Sequence, residues 1–166
     1  ILNKISATNL SIGLLTSPIH AQNSVDQASI IKAQFIEDIG ASQRIDFSGK
    51  LRMLSQRIVA AGCNYAAGID TTRSGAVLDA TATEFQKIVD ALEFGDPDLG
   101  IIGAEERRRT QVGISKLREL WNPTYVTAQQ IVDGDKTSET VATLAAQSAP
   151  LLEMAKLLVT EISRQY

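Results

Sequence analysis

The chain is 166 residues long, 44% hydrophobic yet only 5% aromatic, with a formal net charge of −3 at pH 7. That length fits one domain with a sizeable core, and its abundance of Ala, Leu, Ile and Val favours packed helices over sheets. The slightly acidic balance leaves no basic footprint, so nucleic acid is not an expected partner. One cysteine, Cys63, and one histidine, His20, exclude a disulfide framework, a thiolate metal cluster and a histidine-based metal or catalytic centre.

Taken in chain order, residues 1–21 read as the remnant of a secretory signal. Lys4 precedes an apolar run through Ile5, Leu10, Ile12, Leu14 and Leu15, and Pro18-Ile19-His20-Ala21 has the form of a cleavage region ending at Ala21. The alternative is a short amphipathic helix of the mature protein. The signal places residues 22–166, the remaining domain, in the periplasm or outside the cell. No other run reaches the ~20 apolar residues of a membrane span. Tyr166 closes a helical pattern without a stop signal, so more chain is expected beyond it, either a second copy of the unit or a membrane helix followed by a signalling region.

A long first helix is expected from a cap at Ser24, with Asp26 in its first turn, to a glycine stop at Gly68. Its stripe is Ile31, Phe35, Ile39, Ile45, Leu51, Leu54, Ile58 and Val59. It is either continuous or broken at Gly40 or near Asp46. Asp70, Thr71 and Thr72 cap a second helix reaching Phe94, with Val77, Leu78, Ala80, Phe85, Ile88, Val89 and Leu92 on its apolar face. Gly95-Asp96-Pro97 stops it, and the partly apolar loop through Gly103 should fold over the end of the bundle.

A third helix is expected from near Ala104, with Glu105 and Glu106 complementing its dipole and Val112, Ile114, Leu117, Leu120 and Trp121 buried. Pro123 should kink or break it before its end at Gly134. A fourth starts at Thr137 or Ser138, carries Val141, Leu144, Ala145, Leu151, Leu152, Ala155, Leu158, Val159 and Ile162, and should bend at Pro150. The fold class is therefore all-α: an up-down-up-down four-helix bundle with a long first helix.

Residues 45–57 stand out. Around Arg52, the helical neighbours Ser48, Gly49, Ser55 and Gln56 share one small, polar face, suited to close approach by a second backbone or a small anion. Gly-Lys-Leu-Arg-Met-Leu-Ser-Gln-Arg resembles the Gly-x-x-Arg-Met-x-Ser-x-Arg signature of the PilJ-type domain, the N-terminal sensor domain of type IV pilus chemotaxis transducers. A related signature occurs in periplasmic nitrate/nitrite sensors of the NarX and NarQ kind. Gly49, Arg52, Met53, Ser55 and Arg57 all match; Asp46 and Ser48 depart, standing where the family usually has Asn and Ala. A looser likeness continues through residues 95–100, Trp121 and residues 151–155.

The resemblance implies an exported sensor domain and a homodimer formed through the first helix. Between the two chains it implies a small oxyanion such as nitrate or nitrite, held by Arg52 from each, with the Gly49 backbone, Ser48 and Lys50 nearby. Ser48 could instead bond its own helix backbone. Asp46 opposes an anion unless Lys50, four residues on, neutralises it. Residue types alone read Arg52 and Arg57 as solvated or ion-paired; the motif moves Arg52, but not Arg57, into the ligand role.

No enzyme class fits and no cofactor is implied. Di-iron bundles need helix histidines, haem attachment needs Cys-x-x-Cys-His, and Ser48 and Ser55 have no histidine base. Cys63, among Ala61, Gly62 and Ala66, reads as a small buried thiol. Arg107, Arg108 and Arg109 read as a solvated or salt-bridged face. The competing function is an exported helical interaction or scaffold module without a small ligand, in which Gly40, Ala41, Ser48 and Gly49 contact another helix.

Overall fold

The computed structural model describes the backbone of residues 2–165 and the side chains of residues 26–34 and 40–165. The expected signal segment, and Phe35 and Ile39, lie outside the described side chains. The chain divides into two units, Ile1–Ile39 and Gly40–Tyr166. In the first, Ile30 and Ile31 are exposed, so Ile31 is not part of a buried stripe.

Helix α1 spans Leu2–Ala66, unbroken at Gly40 and Asp46. Ser24 and Asp26 therefore lie inside it; a cap needs non-helical backbone, and here the helix runs on both sides. In the unit Gly40–Tyr166, α1 joins α2 (Thr71–Phe94), α3 (Arg108–Val132) and α4 (Ser138–Gln165) in an all-α, up-down-up-down four-helix bundle. Its core takes Leu51, Leu54 and Ile58 from α1, and Leu78, Phe85, Ile88 and Leu92 from α2. From α3 come Ile114, Leu117, Trp121 and Ile131, and from α4 Leu144, Leu151, Leu158 and Ile162. Among the described residues no helix is long and apolar enough to cross a membrane.

The helices approach closely at Gly62. A Cβ there would stand 2.5 Å from Leu144 Cδ2, with Ile131 and Leu78 at 3.9 Å. With Gly62 turned inward, the next residue faces out: Cys63 is exposed, not buried as its small neighbours suggested. Ala80, Val112 and Ala145 also fall outside the core. Neither proline breaks its helix; Pro123 lies within α3 and Pro150 within α4. Thr124 and Thr127 of α3 donate their hydroxyls to the carbonyls of Leu120 and Pro123.

Helix α2 starts where expected, but Asp70 makes no side-chain cap. Its backbone is left-handed (φ 42) instead of extended, and the Ser74 hydroxyl donates to the Ile69 and Asp70 carbonyls. At the other end Gly95 (φ 83) lets the Gly103 carbonyl approach to 2.5 Å of where a Cβ would be. The connection folds over the bundle end: Pro97–Leu99 is a 3-10 turn (η1), Ile101 is buried and Leu99 packs on the core.

Helix α3 begins four residues later than Ala104 predicts, because Glu105 is drawn inward. Its backbone N–H donates to the Glu93 carbonyl at 2.9 Å. One carboxylate oxygen accepts from the Arg107 N–H at 2.8 Å. The other lies 3.4 Å from Arg44 Nε, both side chains being buried, at 8% and 1% exposure. Arg44 also donates to the Gly103 carbonyl at 2.7 Å. Between α2 and α3, Phe85 stacks on Trp121 at 4.0 Å. The Trp121 indole donates to Gln86, Gln86 to Asp90, and Arg118 bridges Asp90 and Glu93.

Removing one member of a buried ion pair strands the other, at about 3–5 kcal/mol. Arg44→Met should lose about that much in urea unfolding, and Arg44→Met/Glu105→Leu should recover most of it. At the start of α4, Asp135 accepts from the Thr137 hydroxyl and N–H and the Thr140 hydroxyl. These bonds, led by the Thr137 hydroxyl, hold its carboxyl below the ordinary aspartate value. The folded-state pKa is depressed, so this contribution is present above the ordinary aspartate value and is lost as pH falls through the depressed one. Asp135→Asn should therefore flatten the acid limb of a stability–pH profile and leave it unchanged below that limb.

Candidate functional site

The inward register of α1 runs Arg44, Ser48, Leu51, Ser55, Ile58 and Gly62, all buried, at alternating steps of four and three. That spacing is one helix face. It divides the signature. Ser48 and Ser55 point into the bundle, where their hydroxyls donate to the carbonyls of Ile45 at 2.9 Å and Arg52 at 2.8 Å. The Ser48 hydroxyl thus has a backbone partner on its own helix.

Gly49, Lys50, Arg52, Met53 and Gln56 lie on the outer side. Gly49 is half-buried; Lys50, Arg52 and Gln56 are exposed, and Met53 is 53% exposed. Among the described residues the Arg52 guanidinium has no hydrogen-bond or ion-pair partner. Lys50 does not pair with Asp46; its ammonium sits over the Phe47 ring, 5.1 Å from the centroid. Arg57 is displaced to the α1–α2 side, where it lines a 360 Å³ cleft with Asn64, Asp70 and Arg73.

Gly49 is the informative position. A Cβ built on it meets nothing within 4 Å, in contrast to Gly62. Among the described residues no packing requires a glycine there, although one in a helix interior costs about 1 kcal/mol relative to alanine. The outer face of α1 thus presents a bare stretch of backbone, a flexible thioether and an uncommitted, forked cation. An arginine in that state can take a planar oxyanion through two parallel N–H bonds. No group of three or more His, Cys, Asp or Glu able to hold a metal occurs among the described residues.

Sequence reasoning missed Arg44. An arginine at an inward heptad position, with Ser48 and Leu51 following on the same face, was the available signal.

The family profile described as the type IV pili methyl-accepting chemotaxis transducer N-terminal region matches residues 38–147, well over half of the chain. The chain belongs to the PilJ family. Its fold is also that of the ligand-binding domain of the P. aeruginosa nitrate receptor McpN, with a TM-score of 0.63 and 18% identity, covering 74% of this chain and 95% of that one. No curated protein matches the chain. The match over residues 38–147 includes the Gly49 to Arg57 signature and the helices α2 and α3. This PilJ domain is thus a helical sensor domain of the chemotaxis-transducer type, and its signature arginine is displayed outward on α1.

Gly49 and Gly62 of α1 should respond oppositely to alanine. In dilute protein, Gly49→Ala should raise the unfolding free energy by about 0.5–1 kcal/mol, the helix-propensity gain with no clash. Gly62→Ala should show no such gain and lose up to about 2 kcal/mol, since Leu144 must leave its place in a closed core.

Proposed function

We propose that this domain is the exported ligand-binding part of a membrane-anchored receptor, and that it binds a small oxyanion, nitrate or nitrite, between two copies of α1. On this reading residues 1–21 are a secretory signal, residues 22–166 form the periplasmic sensor, and a signalling region follows in the full protein. The observation that carries the proposal is that, among the described residues, Arg52 has no partner and nothing approaches the neighbouring Gly49.

Two copies of α1 facing each other would bring two guanidinium groups together. Their repulsion opposes the dimer until an anion lies between them. A ligand that relieves it binds the dimer more tightly than the separate chains, and so shifts the equilibrium toward one dimer geometry. Gly49 would let the partner backbone or the ligand approach. Lys50 flanks the site and adds positive potential. Ser48 contributes from beneath, by occupying the Ile45 carbonyl and keeping α1 slim at that level. Met53 would pack across the two-fold axis. The nitrate receptor whose ligand-binding domain shares this fold makes nitrate the first ligand to try.

The competing reading, a helical scaffold without a ligand, uses the same bare glycine as a contact for another helix. Calorimetric titration of the chain with nitrate, with sedimentation in parallel, separates the two. The sensor reading expects saturable binding with dimer formation, weakened at least about tenfold in Arg52→Ala, the worth of one charge-assisted pair. A dimer that forms without nitrate, gives no heat up to millimolar nitrate and survives Arg52→Ala would establish the scaffold instead.

A further inference from the structure

A second feature lies away from α1. Helices α3 and α4 pack side by side, and between them runs an open groove of about 720 Å³. Val112 of α3 and Leu157 of α4, 43% and 62% exposed, line it together with Met154 and the buried Leu158. Gly113 keeps the floor low: a Cβ there would meet Leu158 Cδ1 at 3.0 Å.

The rim is basic. Arg108 and Arg109 stand at the start of α3 and Arg164 near the end of α4, and since the helices are antiparallel all three cluster at one end of the groove. Lys116 stands two turns further along α3. Glu161 is the one carboxylate on the rim, and Gln165 donates to it at 2.7 Å. Among the described residues none of Arg108, Arg109, Lys116 or Arg164 has a carboxylate within ion-pair distance. Four cations face one acid around an apolar trough, in a chain whose overall charge is −3.

We propose that this groove binds a free amphipathic monoanion, a linear apolar chain ending in one carboxylate or similar oxyanion. The charged head lies among Arg108, Arg109 and Arg164, which line the same end of the groove and make no ion pair with any described residue. The tail runs down the groove over Val112, Leu157 and Met154. The stretch of α4 from Met154 to Arg164 covers about 15 Å at the helical rise, room for a medium-length chain. The volume lies within the ordinary range for small-molecule sites, about 300–1,000 Å³. Head and tail reinforce each other: an anion alone leaves the trough wet, and a neutral chain leaves the cations without a partner. None of the groove's residues is on α1, so this site stands independently of the Arg52 proposal.

The test is calorimetric titration of the full chain with decanoate below its micelle concentration, beside acetate, decanol, and vesicles of phosphatidylglycerol. Decanoate should bind saturably while acetate gives no heat and decanol binds at least about tenfold more weakly, the equivalent of one charge-assisted contact. Arg109→Glu, Arg164→Glu and Leu157→Glu, all at exposed positions, should each weaken decanoate by about tenfold or more with unchanged circular dichroism. Arg52→Ala should leave decanoate binding intact whatever it does to nitrate. Equal affinity for decanol and decanoate, or indifference to the three charge changes, would overturn the proposal. Binding to the anionic vesicles without binding to free decanoate would also overturn it, in favour of a membrane-surface contact.

Discussion

A side chain is missing at Gly62, and three helices close on the gap. Leu144, Ile131 and Leu78 converge there, and a Cβ would stand 2.5 Å from the first of them. This contact sets the rotation of α1 about its own axis, because a helix can satisfy such an approach in one orientation only. Once Gly62 faces in, the residues at steps of four and three before it, from Ile58 back to Arg44, must also face in. Leu54 and Ala61 flank that stripe and are buried with it, while Gly49, Lys50, Arg52, Met53 and Gln56 fall on the other side. The outward display of Gly49, Arg52 and Met53 thus follows from a packing constraint three turns away, and the same rotation puts the Cys63 thiol in solvent.

The inward register also obliges the bundle to accommodate polar groups. Ser48 and Ser55 do so cheaply, by donating to their own helix. Arg44 cannot, and the connection between α2 and α3 supplies Glu105 and the Gly103 carbonyl to meet it. That arrangement explains why the connection is ordered, why Gly95 needs its positive φ, and why α3 starts at Arg108. On the far side the chain from Trp121 through Gln86 and Asp90 to Arg118 ties α2 to α3. The Arg44–Glu105 pair thus links the inner face of α1 to the end where α3 begins.

Much of this was legible in the chain of residues. The four-helix architecture followed from apolar periodicity, the C-terminal end of α2 from its glycine stop and the start of α4 from its capping residues. The PilJ resemblance rested on five positions within residues 49–57. The misreadings share a cause. Cys63 was assigned to the core on its small neighbours and Val112 and Ala145 on apolar periodicity, whereas burial depends on which residue of the stripe takes the inward position. Glu105 was assigned to the helix dipole because its partner, Arg44, lies far away in the chain. The groove between α3 and α4 was invisible for the same reason: Arg108 and Arg109 looked like a solvated run until Arg164 and Leu157 were brought opposite.

By itself the sequence determined the class of fold, the helix count, and the residues that make the α1 signature distinctive. These depend on interactions within a few turns, which spacing and propensity encode. Only the tertiary structure decided which half of that signature faces solvent, which glycine is a packing contact and which stands bare, and which cations have a partner. Those outcomes arise from contacts between helices distant in sequence, where the size of one side chain fixes the orientation of all the others on its helix.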